Sequence, residues 1–262
     1  MRTTKEVKDV SSKPANAEAA FRKKPALVRT NLASQVYEFL QDQIVSAQIR
    51  PGTKLSEVAI AESLGVSRQP VREAIARLER LGLTSRGRRD RVVARPTERL
   101  ICEIYEIWWV LDAGRTYLSS LSATDDDISK MRGLLAQMEA ATQAGDQAAL
   151  TRCSREFHKL ISSRCQNSQM ESTIESYGLY IRWFRALYLK SRGPSEARLK
   201  EHRVIVDCYA RKDLSGLMEV VHEHVLRQWS EVLEAWRKET SPADQEPVDT
   251  VPEFSRPFLA NG

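Results

Sequence analysis

Long apolar runs are missing from this chain. No stretch approaches the ~18–20 consecutive apolar residues that a membrane span requires, so no membrane partner is expected. Cysteine is scarce: Cys102, Cys153, Cys165 and Cys208 are scattered without a C-x-x-C pair. That spacing builds neither a zinc knuckle nor a disulfide framework, and free thiols in a reducing cytoplasm are expected. The first 25 residues, MRTTKEVKDVSSKPANAEAAFRKKP, lack an apolar stretch followed by a cleavage site. They read as a flexible basic tail, residues 1–28, and not as a secretory signal. From Thr240 the sequence TSPADQEPVDTVPEFSRPFLANG is rich in proline and acid, so 240–262 is expected to be disordered. A strong overall charge is also lacking, at +5 in 262 residues. That small total hides an asymmetry. Residues 1–99 carry 20 basic and 11 acidic side chains, and residues 100–262 carry 20 and 24. The net +9 and −4 suggest that one end faces a polyanion and the other does not.

What is present begins at Asn31. Leu32, Val36, Leu40 and Ile44 recur every fourth position and predict a helix, with Pro51-Gly52 as its stop. Ser56 can cap a second helix over Glu57–Leu64, which ends at Gly65, and Ser67 can cap a third with Pro70 in its first turn. Ala61, Gly65 and Val71 have the spacing of a DNA-binding helix-turn-helix: a small residue for close approach, a tight turn, and an apolar residue packing back. At ~100° per residue, Val71, Ala74, Ile75, Leu78 and Leu81 share one face of the third helix. Arg68, Gln69 and Arg72 lie opposite, at the N-terminal end from which a recognition helix reads bases. The bland alternative is a helical hairpin with a solvated charged face. Thr84–Arg86 and Arg91–Ala94 are predicted as two strands of a wing around an arginine-rich tip, with Arg86, Arg88, Arg89, Arg91 and Arg95 available to phosphate or the minor groove.

The run VYEFLQDQIVSAQIRPGTKLSEVAIAESLGVSRQPVREAIARLERLGL, Val36–Leu83, resembles the GntR family of bacterial transcription regulators. The resemblance implies that Ser67, Arg68 and Arg72 contact a double-stranded DNA operator, that Gln69 sets specificity, and that the wing reaches the adjacent groove. Asp90 stands where the family often has glycine, and an acid there would oppose phosphate.

After Pro96 the pattern stays helical to about Glu239, with six helices and no convincing strand, which describes an antiparallel bundle. The expected architecture is therefore mainly α: a winged helix-turn-helix domain at 29–96 and an all-α effector and dimerisation bundle at 97–239. Of the four histidines, His158, His202 and His224 sit beside apolar helix faces, while His222 is expected to face solvent. Taken alone, three such histidines are either structural or convergent metal ligands.

The segments REFHKLI, EHRVIVDCYARKD and DLSGLMEVVHEHV look like the FCD subgroup of the same family. Many members hold a metal through one Asp and three His, and the metal grips a small carboxylate effector. That resemblance implies a zinc or nickel site at His158, His202 and His224, although Ser154 stands at the Asp position. Trp108 replaces an effector-binding Arg in the stretch ending at Asp112. Arg115, Arg182 and Arg185 are candidates for the lost charge, in a pocket suited to a more apolar or aromatic acid. The leading expectation is a homodimeric, small-molecule-responsive regulator, with repression as the usual mode. The alternative is a metal-dependent hydrolase built on the three histidines.

Overall fold

The computed structural model describes residues 31–87, 90–189 and 196–240. The predicted tails, Arg88, Arg89 and the Gly193-Pro194 break lie outside the described residues. The chain divides into two compact units, residues 1–95 and 96–262.

The first unit contains α1 (Leu32–Val45), β1 (Lys54–Leu55), α2 (Glu57–Leu64), α3 (Arg68–Arg80), β2 (Thr84–Arg86) and β3 (Arg91–Val93). Val36, Leu40 and Ile44 bury one face of α1 against α3, whose Val71, Ala74, Ile75 and Leu78 are fully or almost fully enclosed. Helix α1 stops at Val45, well before Pro51-Gly52. Ala47 turns to φ +57 and its N–H bonds the Ile44 carbonyl, so a local left-handed residue ends the helix before the proline is reached. Ser56 accepts from the Ala59 N–H, and Gly65 closes α2 at φ +69, where a side chain would be strained. Ser67 occupies the N-cap position of α3, but its hydroxyl makes no capping hydrogen bond. Leu81 is the C-cap of α3 and is only half-buried, so it leaves the helix face early.

The sheet has the order β1-β3-β2, with both pairings antiparallel and Arg91 opposite Leu55 on one side and Arg86 on the other. Strand β1 has no sequence signal: only two residues pair, and Leu55 alone turns inward. Gly52 N–H to Val93 O and Val93 N–H to Thr53 O tie the approach to it.

The second unit contains α4 (Glu98–Ser122), α5 (Asp125–Gln143), α6 (Gln147–Arg164), α7 (Ser168–Tyr188), α8 (Glu196–Arg211) and α9 (Leu214–Glu239). The fold is thus the expected one, a winged helix-turn-helix followed by an all-α bundle. Thr97 accepts from Leu100 N–H at the start of α4. Thr124 and Asp127 form a reciprocal capping box on α5. Helix α4 packs on α6, α7 and α9, while α8 packs on α5 and α9. Tyr105, Phe157, Trp183, Phe184 and Leu217 are enclosed, and Tyr105 stacks on Trp229 with ring centres 6.1 Å apart. Trp236 donates from Nε1 to the Pro96 carbonyl at 2.8 Å, fastening the end of α9 to the start of α4.

Candidate nucleic-acid interface and histidine cluster

On the first unit, burial of one side of α3 leaves Ser67, Arg68, Gln69 and Arg72 exposed at its N-terminal end. Acids meet these donors within the unit. The Arg72 Nε lies 3.1 Å from the Glu57 carboxylate, and Arg68 approaches the same oxygen at 3.9 Å. Gln69 donates its amide to Glu73 at 2.7 Å. In the wing, Glu79 faces Arg86 at 3.5 Å and pairs with Arg91. Asp90 pairs with Lys54, so the acid expected to oppose phosphate is already matched by a neighbouring cation. Gly87 is required at the wing turn, because a Cβ there would come within 2.9 Å of the Asp90 carbonyl. Arg88 and Arg89 lie outside the described residues. The pairing of Glu57 and Glu79 with these arginines has no sequence signal. Glu57 is 15 positions from Arg72, beyond any helical neighbour rule.

On the second unit, the three expected histidines do come together. His158–His202, His202–His224 and His158–His224 ring centres are 5.4, 5.4 and 5.8 Å apart. Three of their six nitrogens, however, are committed to protein partners. His224 bonds Glu201 through Nδ1 and Gln228 through Nε2, both at 2.7 Å. His202 donates from Nδ1 to the Arg198 carbonyl at 2.6 Å. Donation by Nδ1 to Glu201 makes His224 Nε2 an acceptor, and the Gln228 amide consumes that lone pair. Ser154, half-buried one turn before His158, brings no carboxylate.

Among the described residues, no group of three or more His, Cys, Asp or Glu side chains could hold a metal ion. The expected zinc or nickel site at His158, His202 and His224 is therefore overturned, and the hydrolase alternative built on three free imidazoles loses its ligand set. The sequence did not reveal this network. Gln228 lies one turn from His224, but Glu201 turns to His224 from another helix.

Burial holds His202 down to about 4, with the neighbouring His224 adding to it. Burial also pushes His158 well below its ordinary value, aided by His202, His224, Arg115 and Arg185. Burial alone would raise the Glu201 carboxyl, but the bonds from His224 and Arg227 outweigh it and lower it overall. His202 is 4% exposed and its Nε2 has no partner among the described residues.

The remaining pocket candidates separate. Arg115 and Asp112 are both buried and pair with each other, and Arg115 also donates to Ser162 at 3.0 Å. The Arg115 charge is thus already met. Trp108 is half-buried, with the Arg115 guanidinium 5.9 Å from its ring centre and α7 passing close at Gly178. Arg182 and Arg185 are exposed on α7. His222 does not face open solvent: it is half-buried, with Trp109 edge-on at 5.0 Å. The 26-residue α9 meets α4, α7 and α8, so it has a wider covered arc than a surface helix. Among the described residues no helix is long and apolar enough to cross a membrane.

Two family models match the chain. Residues 32–93 match the bacterial regulatory proteins of the gntR family, and residues 103–227 match the FCD domain. The Nta operon transcriptional regulator of Aminobacter aminovorans is 29% identical over 196 residues, 74% of this chain and 90% of that protein. A probable D-xylose utilization operon transcriptional repressor of Paenarthrobacter nicotinovorans is 28% identical over 205 residues, 76% of this chain and 88% of its own length. Among solved structures, E. coli McbR/YncC shares the fold at TM-score 0.64 with 22% identity, covering 82% of this chain and all of that one.

Proposed function

Because the chain belongs to the GntR family of bacterial transcriptional regulators and carries an FCD-type effector domain, we propose that it is a ligand-released repressor that binds a palindromic operator as a homodimer. It is a ligand-responsive regulator and not an enzyme. The observation that carries the DNA reading is the N-terminal end of α3. There Arg68, Gln69 and Arg72 stand free of the core while the opposite face of the helix is buried. Arginine suits guanine and glutamine suits adenine in the major groove, and the Arg86 and Arg91 side chains of the wing suit the adjacent backbone. Repression is favoured by the Paenarthrobacter relative, which is described as a probable repressor. A small winged domain reads too few base pairs by itself, so a two-fold dimer on a palindrome is the economical solution.

In the bundle, the effector we propose is a small organic acid with apolar or aromatic bulk, bound without a metal. Arg185 supplies an exposed cation, Trp108 an aromatic face, and His202 Nε2 a buried acceptor for a ligand hydroxyl or protonated carboxyl. Effector binding then shifts the population between states of different DNA affinity. The test has two parts. Gel shifts at fixed salt compare the upstream DNA of the chain's own gene with random duplex. A thermal-shift screen of aliphatic and aromatic acids follows, in which a true effector raises the melting temperature by mass action and releases the DNA. Equal affinity for both duplexes would overturn the regulator reading.

A further inference from the structure

Among the described residues of the first unit, one large apolar side chain stays exposed: Val58, at 44%. It sits in the first turn of α2, two positions before the buried Ile60 and so about 200° around the helix from it. The core of the unit therefore does not use it. Val58 lines a recess of about 460 Å³ together with Glu57, Arg68 of α3, and Arg86 and Arg91 of the wing. Its neighbour Glu57 meets the Arg72 Nε at 3.1 Å and Arg68 at 3.9 Å. An aliphatic side chain thus stands on the surface that carries the exposed arginines, in a recess whose lining is otherwise mostly charged.

We propose that Val58 reads the 5-methyl group of a pyrimidine in the major groove, at one position of each operator half-site. The inference rests on the DNA reading above and adds a base-reading residue outside α3. A valine has neither charge nor donor to offer a phosphate, and the arginines of the recess supply both. The base edges of the major groove are hydrogen-bonding atoms with one exception, the 5-methyl carbon of thymine, which takes apolar contact. Methylated cytosine carries the same group. The minor groove presents no methyl, so the contact belongs to the groove that α3 enters. Opposite adenine, guanine or unmethylated cytosine the same valine covers polar atoms and leaves them without a partner. The discrimination thus has an attractive part and a repulsive part. One valine among charges is too small an apolar area to hold a protein partner, because such patches run to a few hundred Å².

Gel shifts of the full chain at fixed salt, on the upstream duplex of its own gene, test the assignment. Each thymine is replaced in turn by deoxyuridine, which differs only in lacking the methyl group. At one position in each half-site the replacement weakens wild-type binding about fourfold, the worth of one buried methyl group. Val58→Ala binds the thymine and deoxyuridine duplexes alike, and Val58→Ile keeps the preference. Alanine has the higher helix propensity, so α2 persists in the variant, and circular dichroism checks it. Should Val58→Ala fail to fold, Val58→Thr, with a hydroxyl in place of one methyl group, is read in the same way. A parallel series with methylated cytosine in place of each cytosine separates the two sources of the methyl group. A gain there that depends on Val58, with no loss at any deoxyuridine, assigns the contact to methylated DNA. Losses at deoxyuridine that Val58→Ala shares, or no change in either series that depends on Val58, overturn the inference and leave the regulator reading standing. Equal wild-type affinity for upstream and random duplex overturns both.

Discussion

Arg72 and Glu57, 3.1 Å apart and both partly exposed, place an acid on the surface that we propose reads DNA. Each described basic group at this end has an acid beside it: Arg68 and Arg72 share Glu57, Arg86 and Arg91 share Glu79, and Lys54 has Asp90. An exposed pair of this kind is worth little to stability, but a phosphate must compete with the carboxylate to reach the arginine. Glu57→Gln is therefore expected to tighten binding to random duplex and to steepen the salt dependence of binding by roughly one phosphate contact. Gel shifts across a salt series check this, and an unchanged slope would count against it. Arg72→Ala is expected to cost about 1–3 kcal/mol of operator discrimination, the worth of one bidentate base contact. It leaves the sedimentation of the protein unchanged. The arginines themselves were legible in the sequence, because helical periodicity places them opposite a run of buried residues. Their acidic partners were not, because Glu57 and Arg72 meet across two helices.

At the level of elements, boundaries followed local chemistry where a side chain or a glycine sets them. Ser56 and Gly65 mark the ends of α2 in both sequence and structure, and Thr97 and Thr124 cap α4 and α5. The capping box of α5 is the fullest of these. Thr124 Oγ1 accepts from Asp127 N–H, Asp127 accepts in return, and Asp127 also holds Arg164 of α6 at 2.8 Å. Thr124→Ala is expected to cost about 1 kcal/mol, the usual worth of an N-cap, and to lower the melting temperature by a few degrees. Calorimetry measures it, and an unchanged melting temperature would mean that Asp127 and Arg164 hold the helix end without the cap. Local chemistry misled at two places. Pro51-Gly52 looked like the stop of α1, yet Ala47 ends it earlier in a left-handed turn. Strand β1 was invisible because two residues carry no periodicity, and only pairing with β3 makes them a strand.

Across the whole molecule, the histidine cluster ties stability to pH. His202 titrates near 4 in the fold and near 6.5 in an unfolded chain. Above pH 6.5 both states hold it neutral. As pH falls from 6.5 toward 4 the unfolded chain takes up the proton first, so the fold loses stability at roughly 1.4 kcal/mol per pH unit for this one group. His158 is shifted in the same direction by burial and neighbouring charge and steepens the loss. Thermal denaturation between pH 7 and 4.5 should show a falling melting temperature, and the double variant His158→Ala and His202→Ala should flatten that fall. A wild type with a flat profile would contradict the placement of these rings. The sequence by itself determined the order of the helices, the winged helix-turn-helix, and the place of three histidines beside apolar helix faces. Those properties depend on periodicity, caps and turn residues, which act over a few positions. The tertiary structure decided what the histidines do. Glu201 and Gln228 reach His224 from two helices, and the Arg198 carbonyl takes His202. A lone pair already spent on a hydrogen bond cannot bind an ion, and only the packing of α8 against α9 reveals that it is spent.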